Sequence, residues 1–112
     1  MKNYHNITGD ISEGVKQLKE EIPEAIKNFY AMNEAVNKDG ALDTKTKELI
    51  ALALGVSGHC DGCIGFHAQK LVKLGATKQE VAEALGVAIY MGGGPSLMYA
   101  AEAIQAFEEF SA

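Results

Sequence analysis

The chain has 112 residues, 47% of them hydrophobic, and no low-complexity tract. That length fits one domain spanning 1–112, able to bury roughly 65% of its unfolded surface around one core. The net charge is −5 with ten scattered Lys and Arg, which excludes the clustered basic footprint of a nucleic-acid binder.

The elements read as helices throughout. Asp10 is placed to cap a first helix, with Glu13 completing a capping box. Ile11, Val15, Leu18 and Ile22 recur at helical spacing and form its apolar face. His5 lies before this helix, in what reads as a frayed tail. Pro23 suits the first turn of a second helix, which carries Ile26, Phe29, Tyr30 and Val36 and ends near Lys38-Asp39-Gly40. Asp43 or Thr44 caps a third, from Thr44 to about Gly55. Leu49, Ile50, Leu52, Leu54 and Val56 make it apolar on all sides, so it is expected to be enclosed. Glu48, in its first turn, reads on pattern alone as a solvated carboxylate.

Ser57-Gly58-His59 breaks the third helix. A fourth runs from about Cys60 to Leu74 and stops at Gly75. Thr77 and Glu80 form a capping box for a fifth, reaching Met91. Gly92-Gly93-Gly94-Pro95 is a tight interhelical turn, and Pro95 opens a sixth helix with Leu97, Ala100, Ala101, Ile104 and Phe107 on its apolar side. No strand alternation or hairpin turn pair is present. The expected fold is therefore all-α, a single-domain bundle of about six helices. The surplus of apolar faces on helices 3, 5 and 6 points to a homo-oligomer.

The first residues hold no apolar stretch of the signal-peptide kind, and no apolar run is long enough to cross a bilayer. The expectation is a cytoplasmic protein with no membrane contact. In a reducing compartment the only two cysteines, Cys60 and Cys63, read as redox, catalytic or metal-bound. A bridge between them would close a four-residue loop and stabilise by only about 2 kcal/mol, little as a staple.

On a helix, Cys60, Cys63 and His67 fall within an arc of about 60°, with Leu71 and Leu74 continuing the stripe. The site should border the core. Unpaired N–H groups of the first turn and a nearby imidazolium favour a thiolate there. A thiolate attacks a peroxide to give a sulfenic acid, its neighbour condenses to a disulfide, and an external dithiol restores the pair. A competing reading sets Cys60, Cys63 and His67, with His59 or Asp61, around zinc in a non-catalytic assembly module.

Glu48, eleven residues, Cys60, two residues, Cys63, three residues, His67: this spacing resembles the alkylhydroperoxidase D branch of the carboxymuconolactone decarboxylase family. Lys47-Glu48-Leu49-Ile50-Ala51-Leu52-Ala53 and Gly92-Gly93-Gly94-Pro95 add to the likeness, which covers about residues 20–110. The resemblance implies a helical fold assembling as homo-trimers or homo-hexamers, and a thiol peroxidase or disulfide reductase activity. It implies that Cys63 becomes the sulfenic acid and Cys60 the resolving thiol, with Glu48 and His67 as a proton relay. No organic cofactor is expected. The expected substrates are a hydroperoxide or a disulfide, and the electron donor is a lipoyl-bearing or thioredoxin-like protein. One departure stands out: branch members can carry a histidine directly before the second cysteine, where this chain has Gly62, while His59 precedes the first. A cofactor-free lyase of the decarboxylase type is the alternative enzyme class, although the branch with that activity generally lacks the paired thiols.

Overall fold

A computed structural model describes residues 2–112, and six α-helices account for almost all of them: α1 Tyr4–Glu21, α2 Pro23–Val36, α3 Thr44–Ser57, α4 Asp61–Lys73, α5 Lys78–Gly92 and α6 Gly94–Ser111. There is no strand among the described residues.

α3, α4, α5 and α6 make the core. α4 packs on α3 and α6, and α5 on the same two from the other side. Leu52 and Val56 of α3, Ile64, Ala68 and Leu71 of α4, Val81 and Leu85 of α5, and Ala100, Ala103, Ala106 and Phe107 of α6 are buried together. The alanines of α6 let helices approach closely, and the larger side chains opposite them fill the space. The buried stripe of α6 is thus rotated from the expected one, for Leu97 and Ala101 face out. Helix 3 is not enclosed either: Ile50 and Leu54 are exposed.

α1 begins six residues before the expected cap. Asn3 is the N-cap, accepting from the Asn6 N–H, and Asp10 lies inside the helix. The reason is tertiary. Tyr4 is buried in the core, and the Glu109 carboxylate of α6 accepts from the backbone N–H groups of Tyr4 and His5, at 3.1 and 2.7 Å. These are first-turn donors that would otherwise be unpaired. His5 is therefore helical, its ring packed edge-on against Phe110. The core residues of α1 are Tyr4 and Thr8, whereas the expected face of Ile11, Val15, Leu18 and Ile22 is open to partly open.

α2 packs against α1 alone and buries no residue. Its C-terminus is fastened by Lys47 of α3, whose ammonium donates to the Val36 and Lys38 carbonyls at 2.8 and 2.6 Å. Asp43 caps α3, and both halves of the Thr77–Glu80 capping box are formed on α5. At the turn into α6, Gly93 adopts φ +72°, and Gly92 lies so close to the buried Ser96 that no Cβ would fit.

Candidate active site

The link between α3 and α4 sets the cysteines. Gly58 ends α3, the His59 N–H donates to the Val56 carbonyl and the Cys60 N–H to the Gly55 carbonyl, at 3.1 and 3.0 Å. This is the double-bonded helix stop that usually places glycine in the left-handed position. Here His59 occupies it, at φ +53°. Its ring stacks on Tyr99, centroids 4.6 Å apart and 3° from parallel. Gly75 fills the same position after α4, at φ +76°.

Cys60 is the N-cap of α4 rather than its first helical residue, with extended backbone at φ −107°, ψ 99°. Its sulfur takes the place of a capping oxygen and accepts from the Cys63 N–H at 3.2 Å. Cys60 and Cys63 are joined by a disulfide, with Cα atoms 5.3 Å apart. Both residues are half-buried. Gly55 of α3 permits this placement, since a Cβ there would stand 3.0 Å from the Cys63 Cβ. Asp61, between the cysteines, pairs with Lys2 at 2.8 Å, and Lys2 also reaches Glu102 of α6 at 2.8 Å.

Glu48 is fully buried, at 0% exposure, against the expectation of a solvated carboxylate. Its Oε2 lies 2.5 Å from His67 Nδ1, and Lys70 Nζ stands 3.1 Å from Oε1. The Lys70 approach is close enough for charge pairing but is not aligned as a hydrogen bond, so Oε1 has no hydrogen-bond donor among the described residues. Burial pushes the Glu48 carboxyl up, but the His67 bond and charge, joined by the Lys70 ammonium, outweigh it and hold the group below its ordinary range.

Cys60, Cys63 and His67 line one cavity of about 690 Å³. Ile11 and Val15 of α1, Tyr30 of α2 and Phe66 of α4 supply apolar walls, with Asn33, Gln69, Lys70 and Lys73 as polar lining. The apolar stripe of α1 is thus a cavity wall more than a core face. Of the expected stripe on α4, Leu71 is buried and Leu74 is exposed. The structure therefore brings Cys60, Cys63 and His67 to one cavity and sets Glu48 behind His67.

The zinc set is not gathered. His59 lies against Tyr99, Asp61 pairs with Lys2, and His67 Nδ1 is taken by Glu48. No group of three or more His, Cys, Asp or Glu side chains suited to a metal ion occurs among the described residues. Lys70 escaped the sequence reading because a lone helical lysine looks like solvated surface. The one available signal was its place three residues after His67, on the same face of α4. The Gly62 departure also has a structural counterpart: a Cβ at 62 would lie 2.6 Å from the Ile11 Cδ1, so α1 fills the room a larger side chain would need.

No helix among the described residues is long and apolar enough to cross a membrane. A solved protein from Legionella pneumophila, described as a carboxymuconolactone decarboxylase family protein, is 59% identical, covers 97% of each chain and superposes with a TM-score of 0.96. A second solved member, from Thermotoga maritima, with a suggested part in the antioxidative response, is 33% identical over 89% of this chain and 88% of its own, with a TM-score of 0.76. An uncharacterised protein of Cupriavidus necator is 41% identical over 80% of both chains. Residues 23–106 match the Carboxymuconolactone decarboxylase family pattern. On this likeness in sequence and helical fold, the chain belongs to the carboxymuconolactone decarboxylase family.

Proposed function

We propose that this protein is a thiol-dependent oxidoreductase of the alkylhydroperoxidase D type, reducing an organic hydroperoxide or a partner disulfide through Cys60 and Cys63. The observation that carries the reading is the placing of both cysteines and His67 on one largely apolar cavity, with a buried carboxylate against His67 Nδ1.

In the reduced protein Cys63 is the nucleophile. Its N–H lies in the first turn of α4, where the positive helix end favours a thiolate. His67 takes the thiol proton. The thiolate attacks the distal peroxide oxygen, the O–O bond breaks, and the leaving alkoxide takes the proton back from His67 as an alcohol. Cys63 is then a sulfenic acid. The Cys60 thiol displaces water from it and the disulfide forms. A dithiol donor, lipoyl-bearing or thioredoxin-like, supplies the two electrons and two protons that reopen it. Partner-disulfide reduction runs the same pair through a mixed disulfide on Cys60. The apolar walls favour an organic substrate over a small polar one.

The exposed apolar side chains near the α5–α6 turn, Tyr90 at 82% and Met91 at 74% with Val87 and Met98, support a homo-trimer or homo-hexamer.

The test is thiol titration of reduced protein with and without an organic hydroperoxide, alongside Cys63→Ser and Cys60→Ser. The expected result is the joint loss of two thiols per chain in wild type, none in Cys63→Ser, and a trapped sulfenic acid in Cys60→Ser. Wild-type thiols that persist under peroxide and under a disulfide substrate would overturn the reading, as would a catalytic activity that survives both substitutions together.

A further inference from the structure

We propose that Lys70 is a positioning residue that locks Glu48 as a permanent anion, so that His67 alone exchanges a proton with the sulfurs and Glu48 does not act as a proton carrier. The inference rests on the thiol-redox reading and revises the role that the family resemblance gives to the glutamate.

The geometry is that of a carboxylate held from two sides. Oε2 is engaged by His67 Nδ1 at 2.5 Å, and Oε1 has the Lys70 ammonium 3.1 Å away as its only compensation among the described residues. A buried carboxylate with one oxygen facing only apolar side chains would take up a proton. With His67 on Oε2, a cation at Oε1 opposes that drive.

Glu48 is ion-paired with no residue but His67 and Lys70 among the described residues. α1 faces the cavity with Ile11 and Val15, α2 with Asn33 and Tyr30, and α4 adds Lys73. Three acidic groups of α5 and α6 are committed elsewhere. Glu80 pairs with Lys45, Glu102 with Lys2, and Glu109 accepts from the Tyr4 and His5 amides.

The consequence follows from donor inventory. An ionised carboxylate only accepts, so the hydrogen between Glu48 and His67 sits on Nδ1. The ring is then fixed in the tautomer whose Nε2 carries the free lone pair. Nε2 takes the proton when the thiolate forms and returns it to the leaving oxygen. Through the whole cycle the Glu48 carboxyl neither gains nor loses a proton. Lys70 also lines the cavity, but in this scheme its part in the proton transfer runs through Glu48 alone.

The experiment needs only the full-length protein and a chemical dithiol, so it reads out whether or not any peroxidase activity exists. Infrared difference spectra between disulfide and dithiol forms at neutral pH would show a protonated-carboxyl band if Glu48 took up a proton on reduction. Glu48→Gln assigns that band. Carboxyl-carbon NMR titration of Glu48 is followed in wild type, Lys70→Met and Lys70→Arg. The expected results are no such band in wild type, a Glu48 midpoint raised by up to about 0.7 unit in Lys70→Met, and recovery of the wild-type midpoint in Lys70→Arg. A protonated-carboxyl band in wild type that Glu48→Gln removes would overturn the fixed anion. An unchanged midpoint in a folded Lys70→Met would overturn the role of Lys70. The wild-type spectra stand as a test even if that variant does not fold.

Discussion

Replacing Glu48 by Gln keeps the volume of a fully buried side chain and removes its charge, so the loss reads the electrostatics of the cluster with little cavity contribution. The bond between the carboxylate and the His67 ring has one ionised partner, and such bonds contribute about 1.5–3 kcal/mol. The Lys70 pair contributes at most about 1 kcal/mol, because the lysine head is 41% exposed and solvent-screened. Gln retains a neutral bond to the ring and recovers about 1 kcal/mol. The net cost at neutral pH is therefore about 0.5–3 kcal/mol, or about 2–12 °C in melting temperature for a chain of this size. The sign with pH is determined by the lowered carboxyl. Between its folded value and the ordinary value of about 4.3, the folded state binds fewer protons than the unfolded one. The stabilisation is complete above the ordinary value and is lost as pH falls through the folded one. Thermal melts of both proteins at a single protein concentration, from neutral pH into acid, should show a gap that is widest near neutrality and closes in acid. A gap below 1 °C, or one equally wide in acid, would refute the ionised, doubly held carboxylate.

Gly55→Ala should cost about 1–3 kcal/mol, read by chemical denaturation, because its Cβ meets the Cys63 Cβ rather than a movable side-chain end. His59→Gly should be more stable than His59→Ala by about 1 kcal/mol, since both lose the Tyr99 stack but only Gly relieves the left-handed backbone; equal stabilities would remove the strain from the account. Thr77→Ala should cost about 1 kcal/mol and speed amide exchange in the first turn of α5, where both capping-box bonds are made. Tyr90→Glu, at a position 82% exposed, should lower the molar mass measured by light scattering if that face joins copies of the chain; an unchanged mass would place the joining surface elsewhere.

The helices were legible because their stops are local. Pro23, Asp43, the Thr77–Glu80 box and Gly75 act within one turn of where they stand. The start of α1 was not, since the Asp10–Glu13 pattern is a sound local signal overridden by a remote one: Glu109, about a hundred residues away, completes the first turn of α1 and Tyr4 docks in the core. The shared outlook of Cys60, Cys63 and His67 was readable from helical spacing, although Cys60 turned out to be a cap with extended backbone. Periodicity alone placed Glu48 in water. Its burial depends on how α3 lies against α4, and its partners arrive from 19 and 22 positions downstream. The family spacing carried the information that the local pattern lacked. Nothing comparable marked Lys70.

Asp61 directly follows Cys60, and Lys2 ties it to Glu102 on α6. The short segment that carries the bridge is thereby held to a different helix as well as by its own disulfide. The first residues of the chain thus link the cysteine-bearing turn to α6, a contact that Lys2→Ala would remove without touching either cysteine.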